Sequence, residues 1–281
     1  MTLVKLDLDR DGKVLPPRHD KLIVIDADTV AFASCIVCEY EVEDDKWDIS
    51  LTEALSHSMD KLQRILDIVG GKPENVRLHF TGGRDSFRYQ LLKDAFPEDP
   101  EMHYKFKRKK KRAPVGLRDL KKLLCNEFEG VIHYDWEADD QVVLDKKVLG
   151  DEAILVAVDK DVIMNTVGTH FNYYESAQYK IAMKWVTISE DEARYNQYMQ
   201  MLTGDKSDNI PGIKGVGPAK AAKFLVEGMS EEELWQGVLF AHRSLCKRED
   251  ISPEDMALLN ARLVGMHQLT DKGIVLWSPK H

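Results

Sequence analysis

The chain has 281 residues, 43% hydrophobic and 31% charged, with a formal net charge of −9. That length suits one large or two smaller domains, and the apolar runs along it exclude wholesale disorder. No apolar run approaches the ~18 residues of a membrane span, and residues 1–20 carry no apolar signal segment. A soluble, cytoplasmic protein is therefore expected.

Residues 1–20 read as a loose tail with a short strand at 3–8. The run Leu22-Ile23-Val24-Ile25 is wholly apolar, as in a strand covered on both faces, and it ends in Asp26-Ala27-Asp28. A helix is predicted over 29–37 and another over 51–69, the latter starting near Ser50 with Glu53 in its first turn. Further strands are predicted at 76–80, 131–134 and 153–158. The four cysteines, Cys35, Cys38, Cys125 and Cys246, lack disulfide or zinc spacing and are expected to be buried thiols.

The alternation of strands and helices predicts an α/β sheet, which binds ligands at the carboxyl ends of its strands. Three strand ends here are acidic: Asp26 after the first, Glu137, Asp139 and Asp140 after the third, Asp159 and Asp161 after the fourth. Like charges this close raise one another's pKa unless a cation lies between them, and a hard divalent ion suits oxygen ligands. An acidic helix N-terminus would by itself account for Glu137, Asp139 and Asp140. It would not account for three acidic strand ends.

Between residues 87 and 124 the pattern changes. Tyr104 and Phe106 interleave with Lys105, Lys107, Arg108, Lys109, Lys110, Lys111 and Arg112, seven basic residues in eight. Phosphate binding follows local charge, not the global count, because screening acts over about 8–10 Å. This run predicts a nucleic-acid contact. A hairpin is predicted from 170–174 and 181–185, then a mostly helical region from Ser189, whose Glu192 completes a capping box. Residues 212–217, Gly-Ile-Lys-Gly-Val-Gly, form a glycine-rich turn before Pro218, with Lys214, Gly215, Gly217 and Lys220 placed to meet a phosphate backbone. Asp205 and Asp208 stand just before it.

Taken together these segments resemble the 5′-nuclease (flap endonuclease) superfamily, over roughly residues 21–226. The carriers are Asp26, Glu137-Ala138-Asp139-Asp140, Asp159-Lys160-Asp161, Gly204-Asp205-Lys206-Ser207-Asp208-Asn209-Ile210-Pro211-Gly212 and Tyr104-Lys105-Phe106-Lys107-Arg108. The resemblance implies an α/β fold with a mostly parallel central sheet flanked by helices (PIN-like), a helical arch and a C-terminal helix-3-turn-helix region. The expected domains are the 1–20 tail, a 21–188 nuclease domain with a basic arch about 89–120, and a 189–281 helical duplex-binding domain. It implies two Mg2+ or Mn2+ ions, the first on Asp26, Glu137, Asp139 and Asp140, the second on Asp159, Asp161, Asp205 and Asp208. Family members also often hold K+ at the glycine turn, here near Gly212–Gly217.

Lys105, Arg84 and Arg88 are expected to neutralise charge on the scissile phosphate, and Tyr104 to stack on a base. The implied partner is DNA with a 5′ end or flap, cut as an exonuclease or flap endonuclease in a bacterial or phage-infected cell. RNA–DNA hybrids with RNase H-like primer removal, or non-catalytic DNA binding, are the alternatives. One departure stands out. The family commonly has an acid after the second strand, where this chain has Thr81, with Asp85 four residues on.

Overall fold

The computed structural model describes residues 13–83, 86–107 and 112–279. The expected 3–8 strand, Arg84, Asp85 and Arg108 to Lys111 lie outside these. The central sheet has six strands: β1 (Leu22–Asp26), β4 (Val76–Thr81), β5 (Glu129–His133), β6 (Ala153–Ala157), β7 (Gly168–Asn172) and β8 (Lys184–Ile188). Their order is β5-β4-β1-β6-β7-β8, parallel except for the antiparallel β7–β8 pair. From β1 the chain steps outward through β4 to β5, then returns to lay β6 on the other side of β1. The strand order therefore reverses between β1 and β6, and a crevice opens at the carboxyl ends of these two strands.

The strands are apolar on both faces because helices cover both. Ile23, Ile25, Leu78 and Phe80 pack against α1 (Asp28–Cys38), α2 (Leu51–Val69) and α4 (Leu117–Glu127). Val24 and Leu155 pack on the opposite face with Val142 and Val143 of α5 (Ala138–Leu149). The 19 residues of α2 coincide with the predicted span: Ser50 accepts from the Glu53 N–H, and Gly70 ends the helix in a left-handed conformation. A small hairpin, β2 (Glu39–Glu43) with β3 (Lys46–Ile49), joins α1 to α2 and was not predicted.

A third apolar cluster lies in α7 (Glu190–Thr203), α9 (Glu231–Leu245) and α10 (Pro253–Val264), with the Ser189–Glu192 capping box at the head of α7 as predicted. Leu92 of α3 (Phe87–Ala95), Phe96 and Tyr104 are buried in this cluster. The chain between β4 and α4 thus leans on the C-terminal helices. Of the cysteines expected to be buried, Cys35 is; Cys38, Cys125 and Cys246 are half-buried, and all four are free thiols. Among the described residues no helix is long and apolar enough to cross a membrane.

Candidate active site

A cavity of about 560 Å³ fills the crevice at the switch point, and Asp26, Glu137, Asp139 and Asp159 line it. Asp26 is the last residue of β1. Asp159 follows β6, where its Oδ1 accepts from the Asp161 N–H at 2.7 Å at the start of α6 (Lys160–Met164). Asp139 comes from the first turn of α5, and its carboxyl shares a hydrogen bond with that of Asp26. Burial, and then the charge of Asp28, push Asp26 up to about 7. Burial, then Asp26 and Asp159, drive Asp139 well above the carboxylate range, and burial raises Asp159 as well. Beside them Asp161 is raised to about 7 by burial and by the hydrogen bond it shares with Asp205. Asp205, although burial opposes it, is held down to about 2 by that bond and by Ser207. These five acids lean mainly on one another.

Glu137 and Asp140, two residues and one residue from Asp139, are instead paired with cations. Arg88, 2% exposed, grips Asp140 with both terminal nitrogens at 2.7 Å and donates through Nε to the Leu263 carbonyl at 2.9 Å. Asp140 is fully buried and does not line the cavity. Its Oδ2 also accepts from the Glu137 N–H, closing the first turn of α5. Nor is Arg88 free to meet a phosphate, as the sequence had suggested. Lys105 sets its ammonium against Glu137 Oε1 and 3.6 Å from Asp208 Oδ2. Burial would raise the Glu137 pKa, but the charges of Lys105 and Arg88 hold it at about 2. The Tyr104 hydroxyl lies 2.9 Å from Glu137 Oε2 and 2.8 Å from Asp208 Oδ2. Its ring is buried under the Lys105 ammonium, which leaves no open face for a base.

Where the resemblance leads one to expect an acid, Thr81 does structural work. Its Oγ1 accepts from the Ala138 N–H at 3.0 Å, tying the end of β4 to the start of α5. Its own N–H meets Asp28 at 3.2 Å, and its carbonyl accepts from Lys121 at 2.7 Å. Lys121 also donates to Asp28 Oδ1 at 2.6 Å, so an ammonium stands in the cavity wall beside this strand end. Sequence reasoning missed Asp28 and Lys121. The signal was available: Lys121 falls on the stripe Leu117, Leu120, Leu124 that α4 buries, where a lysine needs a partner.

The loop after α7 is locked by two glycines back to back. Gly204 and Gly212 have φ of +63° and +54°, and a Cβ on Gly204 would lie 2.3 Å from the Ile210 carbonyl oxygen. Asp205 and Asp208, expected to share the second ion, are split by this loop, the first meeting Asp161 and the second Tyr104 and Lys105. Asn209, itself at φ 62°, donates to the carbonyls of Glu101 and His103 at 2.7 and 2.9 Å. The Lys105 N–H donates to the Asp208 carbonyl at 2.9 Å. Lys105 also has φ of 53°, a strained conformation for a side-chain-bearing residue.

Lys214, Gly215, Gly217 and Lys220 are exposed, and a Cβ on Gly215 or Gly217 would meet nothing within 4 Å. Pro218 opens the short α8 (Pro218–Ala221) as expected. Of the basic run, Lys107 is exposed, while Arg112 pairs with Glu39 and stacks on Trp47.

Among the described residues no group of three or more His, Cys, Asp or Glu side chains is arranged to hold a metal ion. The donor chemistry nevertheless fits a hard divalent cation. Every group in question is an oxygen ligand, and buried Asp26 and half-buried Asp139, Asp159 and Asp161 are acids whose charge few neighbouring cations offset. The Lys105 ammonium, wedged between Glu137 and Asp208, stands where such charge is wanted.

No family model matches the chain. Individual proteins do. DNA polymerase I of Streptococcus pneumoniae is 28% identical over 259 residues, 86% of this chain and 28% of that protein. Flap endonuclease Xni of a Shewanella strain is 30% identical over 184 residues, 63% of this chain and 64% of that protein. The chain spans only 28% of the polymerase's length. In fold it is similar to bacteriophage T5 5′-exonuclease with zinc bound, at a TM-score of 0.58 with 17% identity, covering 88% of this chain and 89% of that one. The catalytic core of Rad2 in complex with DNA is similar at a TM-score of 0.51 and 14% identity.

Proposed function

We propose that the chain is a structure-specific, divalent-metal-dependent 5′ nuclease that hydrolyses DNA phosphodiester bonds as an exonuclease, a flap endonuclease or both. The supporting observation is the meeting of Asp26, Asp139 and Asp159 in one cavity at the β1–β6 switch point, with Lys105 at its rim. Asp26, Glu137 and Asp139 would hold one ion, and Asp159, Asp161, Asp205 and Asp208 a second. When bound, such ions, Mg2+ or Mn2+, supply an activated water and stabilise the leaving oxygen.

The chain's own residues do the rest. Lys105 would turn its ammonium from Glu137 to the scissile phosphate. Arg88 positions Glu137 and Asp140 and so fixes the first turn of α5, while Tyr104 orients Glu137 against Asp208. Arg84 belongs to the same phosphate-neutralising role. The helical region 189–281 serves as a duplex-binding domain, in which α7, the 204–217 loop and α8 form a helix-turn-helix element. The open backbone at Gly215 and Gly217, flanked by Lys214 and Lys220, suits a phosphate chain and a K+ ion. The segment about 89–120, with Lys107 to Lys111, forms a basic arch for single-stranded 5′ DNA.

The test is cleavage of end-labelled duplex, 5′-flap and RNA-primed DNA with Mg2+ and with EDTA. Metal-dependent release from the 5′ end is the expected result, and product lengths sort exonuclease, flap and primer removal. Tight binding without cleavage of any substrate would leave a DNA-binding protein instead.

A further inference from the structure

A second cavity, of about 500 Å³, is lined by α1, α2 and the segment after β7. Thr29 and Val158 belong to the walls of both cavities, so the two are immediate neighbours at the switch point. Unlike the first, the second sets its cations on a single helix, with Asp60 and Glu175 as its acids. Lys61 and Arg64, one turn apart on α2, face it with an ammonium and a guanidinium. They grip a carboxylate. The Lys61 Nζ lies 2.5 Å from Glu175 Oε1, and Arg64 donates to Oε1 and Oε2 at 2.8 and 2.9 Å. Glu175 sits in the irregular segment between β7 and β8, next to Tyr174, which is 43% exposed and lines the same cavity. Tyr173, also on this wall, donates its hydroxyl to the Asp26 carbonyl at 2.8 Å and so ties the two cavities together.

A fork of guanidinium and ammonium that fits the two oxygens of a carboxylate fits two oxygens of a phosphodiester as well. The present pair is weakly held. Arg64 is 59% exposed and Glu175 32%, and an ion pair this open to solvent adds little to the fold. We propose that Lys61 and Arg64 form a seat for a phosphodiester of single-stranded DNA running past the carboxylate cavity, and that Glu175 occupies this seat until the strand displaces it. Tyr174 then offers an aromatic face to the adjoining base. The inference rests on the nuclease reading and adds to it a path for the strand.

The test uses the full chain, a short fluorescent single-stranded oligonucleotide in EDTA, and the variants Lys61→Ala, Arg64→Ala and Glu175→Gln, with thermal unfolding of each. Loss of either cation is expected to weaken binding about threefold to tenfold, and Glu175→Gln to tighten it about twofold to fivefold. Opposite signs from the two sides of one ion pair are what a displaceable seat requires. Changes of the same sign, or unchanged binding with equal losses of Tm, would make the pair a loop anchor and overturn the proposal. If wild-type chain cuts DNA but the variants bind like wild type, only the seat falls. If wild type neither binds nor cuts DNA, the nuclease reading falls and the seat with it.

Discussion

Glu137 and Asp139 are two residues apart and live in opposite electrostatic worlds. Glu137 is surrounded by Lys105, Arg88 and Tyr104 and is ionised down to a pKa of about 2. Asp139 faces Asp26 and Asp159 and is driven well above the carboxylate range. The helix start makes this possible, because Glu137 is the N-cap and Asp139 already lies on the first helical turn. One short acidic motif therefore does two jobs. Asp140 fastens the fold and Glu137 is held against cations, while Asp139 adds to a surplus of acids that the fold leaves unresolved.

The fastening side should break hardest. Arg88→Met strands Asp140 and Glu137 in the interior, and the expected loss is about 3–5 kcal/mol of unfolding free energy in denaturant titrations. A loss under 1 kcal/mol would mean that the pair does not hold the helix start.

Acidity separates the two sides next. Asp26 and Asp161, at about 7 folded against 3.8 unfolded, keep protons that the unfolded chain has already released. Their contribution therefore falls as pH rises through that window, when stability is followed in EDTA. Glu137 acts in the opposite sense: its contribution is complete above 4.5 and is lost as pH falls toward 2. Combining Asp26→Asn with Asp161→Asn should flatten the upper slope; an unaltered slope would assign it to other groups.

A milder change sharpens the contrast. Asp139→Asn removes one of the mutually repelling acids and is expected to stabilise the metal-free chain by about 1 kcal/mol, yet to abolish metal-dependent cleavage. A fall in Tm for this variant would contradict the surplus.

The smallest effect belongs to the open turn. Lys214→Ala and Lys220→Ala should each weaken duplex binding a few-fold and lower the salt slope by about 1, with no change in stability. An unchanged salt slope would remove the turn from the interface.

The sheet was legible in the sequence because both faces of β1 and β6 are covered and their residues are continuously apolar. The Ser50 and Ser189 caps were legible for a local reason, since each bond closes within three residues. The hairpin of β2 and β3 escaped because its strands are largely exposed and leave no buried alternation to read. The acid group was found as a set, but its membership was not. Asp140 belongs to Arg88, 52 residues earlier, and Arg88 in turn to the carbonyls of Leu263 and Gly265. No spacing rule reaches across such separations. The burial of Tyr104 likewise depends on α7 and α10, which the basic run around it gives no reason to expect.

The staples between the 101–105 segment and the 204–212 loop carry one more consequence. Asn209 holds the carbonyls of Glu101 and His103, and Asp208 receives the Lys105 N–H, while Gly204 and Gly212 leave that loop no slack. The loop ends at Gly212, where the turn of Lys214, Gly215 and Gly217 begins. The two segments are thus geared like a lever, with the turn at one end and the Lys105 ammonium at the other. On the proposed reading of the turn, a load there would reach the cavity, and by reciprocity a change at Lys105 would alter how firmly the turn holds a duplex.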